Sequence, residues 1–340
     1  MDKKKLITSL VFIIIVGAVI ISLTVSKKSY AVGTTLVDTV KALNKGSSWS
    51  AGASGVYYTN SHEYRYIGAE VNNYVKFNND LYRIIGVFDS NSHGVSNTEL
   101  VKLIRARSLG GYSWGAYNTD NSAGTRSGKA NDWTGKSHTS PANLNVLLNE
   151  YFYNKTSASS VYGDCANWTY FSYDNGYKTK DCSDIITYGI DSSLRGYIES
   201  ATWYLYGSGT SQSKQNWYLC ERGGNSCTTS GPNTGDASVT SKMGLMYLSD
   251  YLYASSYYTS SDTATQNTSY FGNKNWLYKG YEWTLTPYAS GSNDVWRVDY
   301  GSVNTSTSNY PRSARPSFYL KSTVSISGGD GTFANPYTIE

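Results

Sequence analysis

NYVKFNNDLYRIIGVF, residues 73–88, contains two apolar runs separated by the polar triplet at 78–80. Valine, isoleucine, tyrosine and phenylalanine are typical of strands, whereas asparagine and aspartate are typical of tight turns. The stretch therefore predicts a β-hairpin with strands at 74–77 and 81–88. ELVKLIRARSLG, residues 99–110, alternates well enough to predict a third strand with one buried face.

The middle and the end of the chain predict helices followed by further strands. Ser140 before Pro141 is a typical helix start, and apolar residues at helical spacing continue to Tyr151. A second helix is predicted over 191–206, and a polar segment over 207–241 predicts a long loop. Strands are predicted again within 242–254, 275–287, 295–303, 315–327 and 335–340. This order indicates an α+β fold with mostly antiparallel strands, two helices and long C-terminal loops.

The N-terminus carries a membrane-targeting signal. Lysines at positions 3–5 precede an uncharged, mostly apolar run over residues 6–25, and a helix of that length spans about 30 Å, enough to cross a bilayer. The lysines predict a cytoplasmic N-terminus and an exported remainder. One interpretation is an uncleaved signal-anchor; the other is cleavage near Ala31, where Ser29 and Ala31 suit a signal peptidase. Both interpretations place the rest of the chain outside the cell.

These boundaries divide the chain into three parts. Residues 1–31 are expected to form the signal-anchor or signal peptide, and 56–340 one extracellular domain. Residues 32–55 are expected to form a linker that contains a short helix near residues 36–43 and then a flexible Gly/Ser run.

The formal net charge of +4 comes from the N-terminal segment. Residues 1–31 hold five lysines and one aspartate, so the remainder has equal numbers of basic and acidic residues. Nothing in this neutral remainder indicates a nucleic-acid partner. With 33 tyrosines, 9 tryptophans and 32 glycines, the composition is typical of an extracellular β-rich domain rather than a disordered chain.

The four cysteines all lie in the part that we expect to be exported. Their spacing favours two local disulfides, Cys165–Cys182 and Cys220–Cys227, although two other connectivities are possible. Neither pair has the spacing of a zinc site, and the histidines at 62, 93 and 138 are not grouped near them. We therefore expect no metal.

Several stretches together resemble a known family. They are NYVKFNNDLYRIIGVF, KLIRARSLGGYSW, GLMYLSDYLYA and the closing RPSFYLKSTVSISGGDGTFANPYTI. They look like an uncharacterised exported domain of low-GC Gram-positive bacteria, with a likeness that runs from about Asn73 to Ile339. That family is similar in outline to the C-type lectin-like superfamily, which includes the formylglycine-generating enzymes and the diversified target proteins of some retroelements. The resemblance implies a C-type lectin-like fold and an extracellular location, but no particular ligand.

The chain departs from these relatives at the residues they use for chemistry. The formylglycine-generating enzymes need cysteines near the C-terminal end, and no cysteine follows Cys227. The calcium-dependent lectins use E-P-N or Q-P-D with W-N-D, and none of these triplets occurs here. The three histidines lie in polar stretches and are expected at the surface. We therefore expect a protein that is not an enzyme and that has no cofactor.

The glycine-rich stretch at 327–331, SGGDG, is interpreted as a turn. A phosphate-binding glycine loop leads into a helix N-terminus, whereas this stretch leads to Pro336 and the chain end. Its residues are those of a turn before a closing strand at 337–339.

The segment over 251–310 combines tyrosine and tryptophan with asparagine, serine and glycine, as antibody binding loops do. Trp276 and Trp283 are expected in the core, and Arg315 is expected to bind loop carbonyls. The sequence does not decide whether Trp296 is buried or exposed. If it is exposed, Trp296 and Arg297 would form a Trp-Arg pair, which is a common binding anchor. The ligand-binding candidates are Tyr278, Tyr288, Asn293, Asp294, Trp296, Arg297, Tyr300 and Asn304.

We therefore expect a membrane-anchored or secreted extracellular module that binds a glycan or a protein. The alternatives are a structural envelope protein without a specific ligand and an enzyme that acts on cell-wall sugar. Exposed aromatic residues clustered near 276–310 would favour binding, whereas acidic side chains that converge in a cleft would favour an enzyme.

Overall fold

The computed structural model describes residues 33–115, 131–135, 141–156, 170–171, 182–224, 227–229, 236–257, 274–291, 293–299, 302–308 and 310–340. Its α-helices are α1 (Leu36–Ala42), α2 (Ser90–His93), α3 (Asn143–Val146), α4 (Cys182–Tyr188), α5 (Lys214–Glu221) and α6 (Leu248–Tyr253). A π-helical segment, Leu147–Tyr153, continues α3, and a 3₁₀ turn covers Arg195–Tyr197.

The strands are β1 (Gly55–Tyr58), β2 (Tyr64–Ile67), β3 (Tyr74–Phe77), β4 (Asp80–Phe88), β5 (Leu100–Arg105), β6 (Gly111–Ser113), β7 (Tyr170–Phe171), β8 (Ala201–Tyr204), β9 (Tyr206–Gly207), β10 (Thr228–Thr229), β11 (Ser238–Ser241), β12 (Glu282–Pro287), β13 (Asp294–Asp299), β14 (Ser302–Thr307), β15 (Pro311–Ser313), β16 (Ser317–Leu320), β17 (Ile326–Gly328) and β18 (Tyr337–Ile339). Together with the helices they form the expected α+β fold.

Strand β4 is the centre of an eight-stranded sheet. It pairs with β5 along one edge, while β2 and β3 share its other edge. Strand β3 is antiparallel to β4, with Phe77 opposite Asp80, which confirms the predicted hairpin. Asn78 and Asn79 have φ values of 54° and 55° in the turn, a conformation that asparagine tolerates better than most residues.

The closing stretch of the chain completes the same sheet. Strand β16 pairs with β5, and β18 pairs with β17 and, in parallel, with β3. Gly329 lies in the turn between β17 and β18 with a φ of 88°, and a Cβ there would clash with the carbonyl oxygen of Pro336. The glycine-rich stretch is therefore a turn, as predicted.

A six-stranded sheet carries most of the segment in which we expected a binding surface. Its order is β14-β13-β12-β15-β6-β7, and β12–β15 is its parallel pair among the described strands. Trp276 and Trp283 are buried as predicted, although Trp276 lies in a turn and not in a strand.

The predicted helix over 191–206 is wrong. The 3₁₀ turn occupies its middle, and its last part is β8, where Trp203 lies opposite Val239 of β11. Thr202, Trp203 and Tyr204 are good strand formers, and the partner strand decides the outcome. The prediction of a helix after Ser140 is confirmed over 143–153, although Ser140 itself lies outside the described residues.

Two further predictions differ from the structure. The predicted strand within 242–254 is helix α6 over its second half; the Asp250 carboxylate accepts a hydrogen bond from the Tyr247 nitrogen at 2.9 Å at the helix start. The predicted loop over 207–241 contains α5, the short strands β10 and β11, and the second residue of β9.

The predicted linker at 32–55 packs against the domain in its first half. Leu36 and Val40 of α1 are buried in the core, and the Leu36 nitrogen donates to the carbonyl oxygen of Val324 at 2.9 Å. The predicted short helix is therefore present, but its apolar face is a part of the domain core.

The predicted membrane segment at 6–25 lies outside the described residues. Within the described part of the chain, none of the helices has the length and apolar character needed to cross a bilayer.

Candidate functional site

A surface cleft of about 580 Å³ lies beside helix α5. Its walls come from the loop between β1 and β2, the first turn of α2, strand β8, one face of α5 and the turn after α5. The lining residues are Asn60, Ser61, His62, Ser90, Asn91, Tyr204, Gln215, Tyr218, Leu219, Arg222 and Gly224. Amide, hydroxyl, aromatic and aliphatic groups meet here, and the lining residues include no carboxylate.

One face of α5 supplies the longest wall of the cleft. Gln215, Tyr218 and Leu219 lie on this face because they are three or four positions apart in a helix. On the opposite face, Trp217 is fully buried and its ring packs edge-to-face on Trp296, with centroids 5.0 Å apart. The buried tryptophan thus anchors the helix, while Leu219 stays 39% exposed in the cleft.

Both ends of α5 are fixed. The Ser213 hydroxyl accepts a hydrogen bond from the Asn216 nitrogen at 3.3 Å, as an N-cap residue does. At the other end, a disulfide joins Cys220, in the last turn of the helix, to Cys227, which confirms this predicted pairing. A wall held in this way loses little further freedom when a ligand binds.

Arg222 forms part of the floor of the cleft. Its Nη2 donates to the Ser92 hydroxyl at 3.0 Å and its Nη1 donates to the Tyr218 carbonyl oxygen at 3.0 Å. The guanidinium lies over the Tyr218 ring, 3.8 Å from the centroid. Burial alone would lower the pKa of Arg222, but the Tyr218 and Glu63 side chains raise it above its ordinary value. The guanidinium therefore stays charged.

Four buried charged side chains lie beneath the cleft, and we call them the ion-pair chain: Glu63, Arg65, Asp250 and Lys102. Arg65 Nη2 is 2.6 Å from Glu63 Oε2, and Arg65 Nη1 is 2.9 Å from Asp250 Oδ1. The Lys102 ammonium is 2.6 Å from Asp250 Oδ2. Ser92 hydrogen-bonds to Glu63 and thereby connects the ion-pair chain to the floor of the cleft. The ion-pair chain therefore links β2, β5 and α6.

Complementary charges oppose the effect of burial on the pKa values of Asp250, Lys102 and Arg65. Burial raises the pKa of the Asp250 carboxyl, but Lys102 and Arg65 outweigh it and hold the pKa at about 2. Burial lowers the pKa of the Lys102 ammonium, and Asp250 opposes that change. Burial would also lower the pKa of Arg65, but Glu63 and Asp250 raise it above the ordinary value.

Glu221, at the end of α5, lies in a different environment. Burial raises the pKa of its carboxyl, although the neighbouring Arg222 opposes the shift. Its Oε1 accepts hydrogen bonds from the Ser249 nitrogen and the Thr286 hydroxyl. Glu221 is therefore the carboxyl beside the cleft whose protonated form the fold favours.

The predicted ligand-binding residues that the structure describes are divided between the core and the surface. Trp296 is 5% exposed, and its Nε1 donates to the Ser208 carbonyl oxygen at 2.9 Å. It belongs to the core, because the inner face of β13 packs against α5, so it is not an exposed anchor. Arg297, on the other face of β13, is itself buried and 3.0 Å from Asp299, while Asn304 lies opposite it on β14 and is exposed.

Of the other described candidates, Asp294 begins β13, and Tyr278, Tyr288 and Asn293 lie outside the helices and strands. The Asn131 side-chain nitrogen donates to the carbonyl oxygens of Tyr288 and Asp294 at 3.1 and 2.8 Å and so holds the turn between β12 and β13, which also contains Asn293. Tyr278 is half-buried after Trp276 and packs against the core. Tyr300 lies outside the described residues.

The expectation of surface histidines is wrong for His93. It is fully buried, its Nδ1 accepts a hydrogen bond from the Val95 nitrogen at 3.2 Å, and its ring packs on Tyr319. His62 is exposed and lines the cleft. His138 lies outside the described residues, as does Cys165 of the other predicted disulfide with Cys182.

Arg315 has the structural role that we predicted. Its Nη2 donates to the Leu277 carbonyl oxygen at 2.7 Å, and it also forms an ion pair with Glu282.

As for metals, the described residues contain no group of three or more histidine, cysteine, aspartate or glutamate side chains that could hold an ion.

Sequence reasoning missed the cleft because its longest wall lies in the segment predicted to be a loop. A signal for α5 was present: Ser213 is a typical cap, and Trp217 and Cys220 are three positions apart. No local signal places Asn60 or Asn91 beside α5, because the sheet brings these loops together.

Comparisons of the chain with protein-family models, with curated proteins and with solved structures gave no match. Any argument about function therefore rests on the cleft itself.

Proposed function

We propose that this chain is an extracellular binding module that holds a neutral saccharide in the cleft beside α5. The observation that carries the proposal is the lining of the cleft. It combines amide and hydroxyl groups, two tyrosines, one exposed leucine and no carboxylate. A sugar presents hydroxyl groups at its edge and C–H groups on its face, and a few polar groups placed in a partly apolar cleft suit both.

The polar groups of the cleft are available to a ligand. The Gln215 amide and the Tyr204 hydroxyl form no hydrogen bond within the described part of the chain, and both residues are half-buried. Asn60 accepts a hydrogen bond from the Tyr253 hydroxyl at 2.6 Å, which leaves its amide nitrogen as a donor. The cleft thus offers donors and acceptors that are already positioned, which lowers the entropy cost of binding.

The positive charge at the floor of the cleft is offset inside the protein, because Arg222 Nη2 lies 4.0 Å from Glu63 Oε1, so the cleft suits an uncharged ligand. Arg222 is the charged group of the floor, and its hydrogen bonds go to Ser92 and to the Tyr218 carbonyl oxygen. Glycoside hydrolysis ordinarily needs two carboxylates beside the scissile bond, and the lining residues include none. Binding is therefore the function that this lining supports, ahead of hydrolysis.

We also propose the location and the finer fold class. The Cys220–Cys227 disulfide supports an oxidising compartment, and the apolar run at 6–25 supports an anchor in the membrane or a signal peptide cleaved near Ala31. The parallel pairing of β18 with β3 joins the first and last of the stretches that resemble the exported domain family, which is itself similar in outline to the C-type lectin-like superfamily. This pairing supports a C-type lectin-like fold.

The test is binding of the purified protein to a broad glycan array, with the variant Gln215→Ala/Leu219→Ala beside the wild type. Both positions are on the outer face of a helix, where alanine is well tolerated, so the variant should fold. We expect binding to a related set of neutral sugars, unchanged by EDTA, and a loss of about tenfold or more in affinity in the variant.

Asn304→Ala is the matched control, because it changes an exposed amide on the β13–β14 hairpin, where the sequence alone placed the site. If Asn304→Ala weakens binding and the α5 variant does not, the hairpin is the site and the cleft is not. A blank array would contradict the saccharide proposal and move the search to a protein ligand.

A further inference from the structure

Phe333 is the most exposed large apolar side chain among the described residues, with 68% of its surface accessible. It lies between β17 and β18, in the turn at 329–336, and its neighbour Ala334 is exposed as well. Its ring meets the Tyr74 ring of β3 edge-to-face, with centroids 5.4 Å apart. A single exposed apolar side chain is ordinary on a protein surface, so its meaning depends on where it lies in the fold.

The turn that carries Phe333 is held by hydrogen bonds, so it presents the side chain at a fixed position. The Asp330 nitrogen donates to the Asn335 carbonyl oxygen at 3.0 Å, and the Asn335 nitrogen donates to the Thr332 hydroxyl at 3.1 Å. The Asp330 carboxylate accepts hydrogen bonds from the Thr332 nitrogen and hydroxyl. This charge is thus bound within the turn, and residues 331–339 have no charged side chain.

The first described residues of the chain pair with β17. Thr35 forms an antiparallel bridge with Ser325, and the Gly33 nitrogen donates to the Ile326 carbonyl oxygen at 3.3 Å. Because the two segments are antiparallel, the chain followed backwards from Thr35 to Gly33 runs in the direction in which β17 leads to the turn at 329–336. Gly33 is the described residue nearest the predicted anchor, and it lies towards that turn.

The predicted anchor is close enough in sequence to bring this end of the domain to the membrane. From Val25, where the apolar run ends, to Gly33 the chain advances eight residues, which span at most about 29 Å. A tether of this length already removes most of the translational freedom that association costs. An apolar contact too weak to hold a free protein on a bilayer can therefore hold a tethered one.

We propose that the turn at 329–336 lies against the lipid bilayer, with the Phe333 ring in the membrane–water interface. This interface accommodates aromatic rings while the polar groups of the turn stay hydrated. Burial of a phenylalanine side chain favours the contact by about tenfold or more. The inference rests on the proposed anchor at 6–25, and it is independent of the saccharide cleft, whose lining includes no residue of this turn.

The test uses the full-length protein, inserted through its own N-terminal segment into phosphatidylcholine vesicles that contain nitroxide-labelled lipid. The variant Asn335→Cys, at an exposed position two residues after Phe333, is labelled with a small fluorophore while the disulfides are kept intact. The wild type, treated in the same way, gives the background labelling. We expect the nitroxide lipid to quench the dye at 335, relative to vesicles without nitroxide.

Two matched variants control this result. Thr323→Cys carries the same dye at an exposed position before β17, at the opposite end of this strand from the turn, and should be quenched much less. Asn335→Cys/Phe333→Ala keeps the dye in the turn, and folding should not depend on the exposed ring that it removes. It should lose most of the quenching, because the apolar contact weakens by about tenfold. Equal quenching at 323 and 335, or full quenching without the ring, would overturn the proposal.

Flotation of the vesicles separates this inference from the proposed anchor. Protein that does not float with the vesicles would overturn both the anchor and the membrane contact of Phe333. Protein that floats but shows no quenching at 335 would support the anchor and overturn the contact, and the search for a partner of the turn would then move to proteins.

Discussion

Replacing Asp250 with asparagine should destabilise the protein by about 3 kcal/mol or more. The pKa of Asp250 is about 2 in the folded protein, against an ordinary 3.8, and a shift of this size corresponds to about 2 kcal/mol of stability at neutral pH. The substitution also leaves the Lys102 ammonium buried without its carboxylate, which raises the cost. The rings of Tyr247 and Trp203, 4.4 and 5.0 Å from the ammonium, offset a part of it.

The measurement is equilibrium unfolding in urea, followed by tryptophan fluorescence. Because the pKa of Asp250 is lowered in the folded state, its contribution should be fully present above about pH 4 and lost as the pH falls through about 2. The double variant Asp250→Asn/Lys102→Met removes both buried charges of this pair and should be more stable than Asp250→Asn alone. A cost below about 1 kcal/mol for Asp250→Asn, or a double variant no better than the single one, would refute this account.

Three further changes test other parts of the structure. Cys220→Ala/Cys227→Ala should lower the free energy of unfolding by about 2 kcal/mol and weaken ligand binding in the cleft, which calorimetry would show; unchanged stability would contradict a structural role for the disulfide. Gly329→Ala should cost more than about 1 kcal/mol, because the residue has a φ of 88° and a Cβ would meet Pro336; a neutral result in thermal unfolding would contradict the turn. Burial raises the pKa of Glu221, so the stability that its protonated carboxyl contributes should be lost as the pH rises through the folded-state pKa. Glu221→Gln should therefore gain stability relative to the wild type as the pH rises. A difference in urea midpoints that stays constant with pH would contradict this.

The sequence could predict the features that depend on neighbouring residues. The hairpin at 73–88 has its turn residues between two runs of strand formers, and the turn at 328–331 has glycines where positive φ is needed. The Cys220–Cys227 disulfide joins residues seven positions apart. In each case the signal and the structure lie in the same short segment, so no distant partner could change the result.

The predictions that failed depended on distant partners. Residues 191–206 have apolar side chains four positions apart, which fits a helix, but β11 is available as a partner and pairs with β8. Asp250 stands in a run of aromatic and aliphatic residues. Nothing in that run indicated that its carboxylate would accept a hydrogen bond from the Tyr247 nitrogen and pair with Lys102, 148 positions away. A buried ion pair of this kind is encoded by two elements together and by neither alone.

The aromatic segment shows why the predicted site and the cleft differ. Composition alone cannot separate the two faces of a hairpin, where Trp296 lies on one face and Arg297 on the other. The inner face is occupied because Trp217 of α5 packs on Trp296, and the same helix presents Gln215 and Leu219 to the cleft. The tryptophan proposed as a ligand anchor therefore supports the cleft from behind. Trp296→Ala should therefore shift α5 and weaken the proposed saccharide binding on a glycan array, although Trp296 does not line the cleft; unchanged binding would contradict this supporting role.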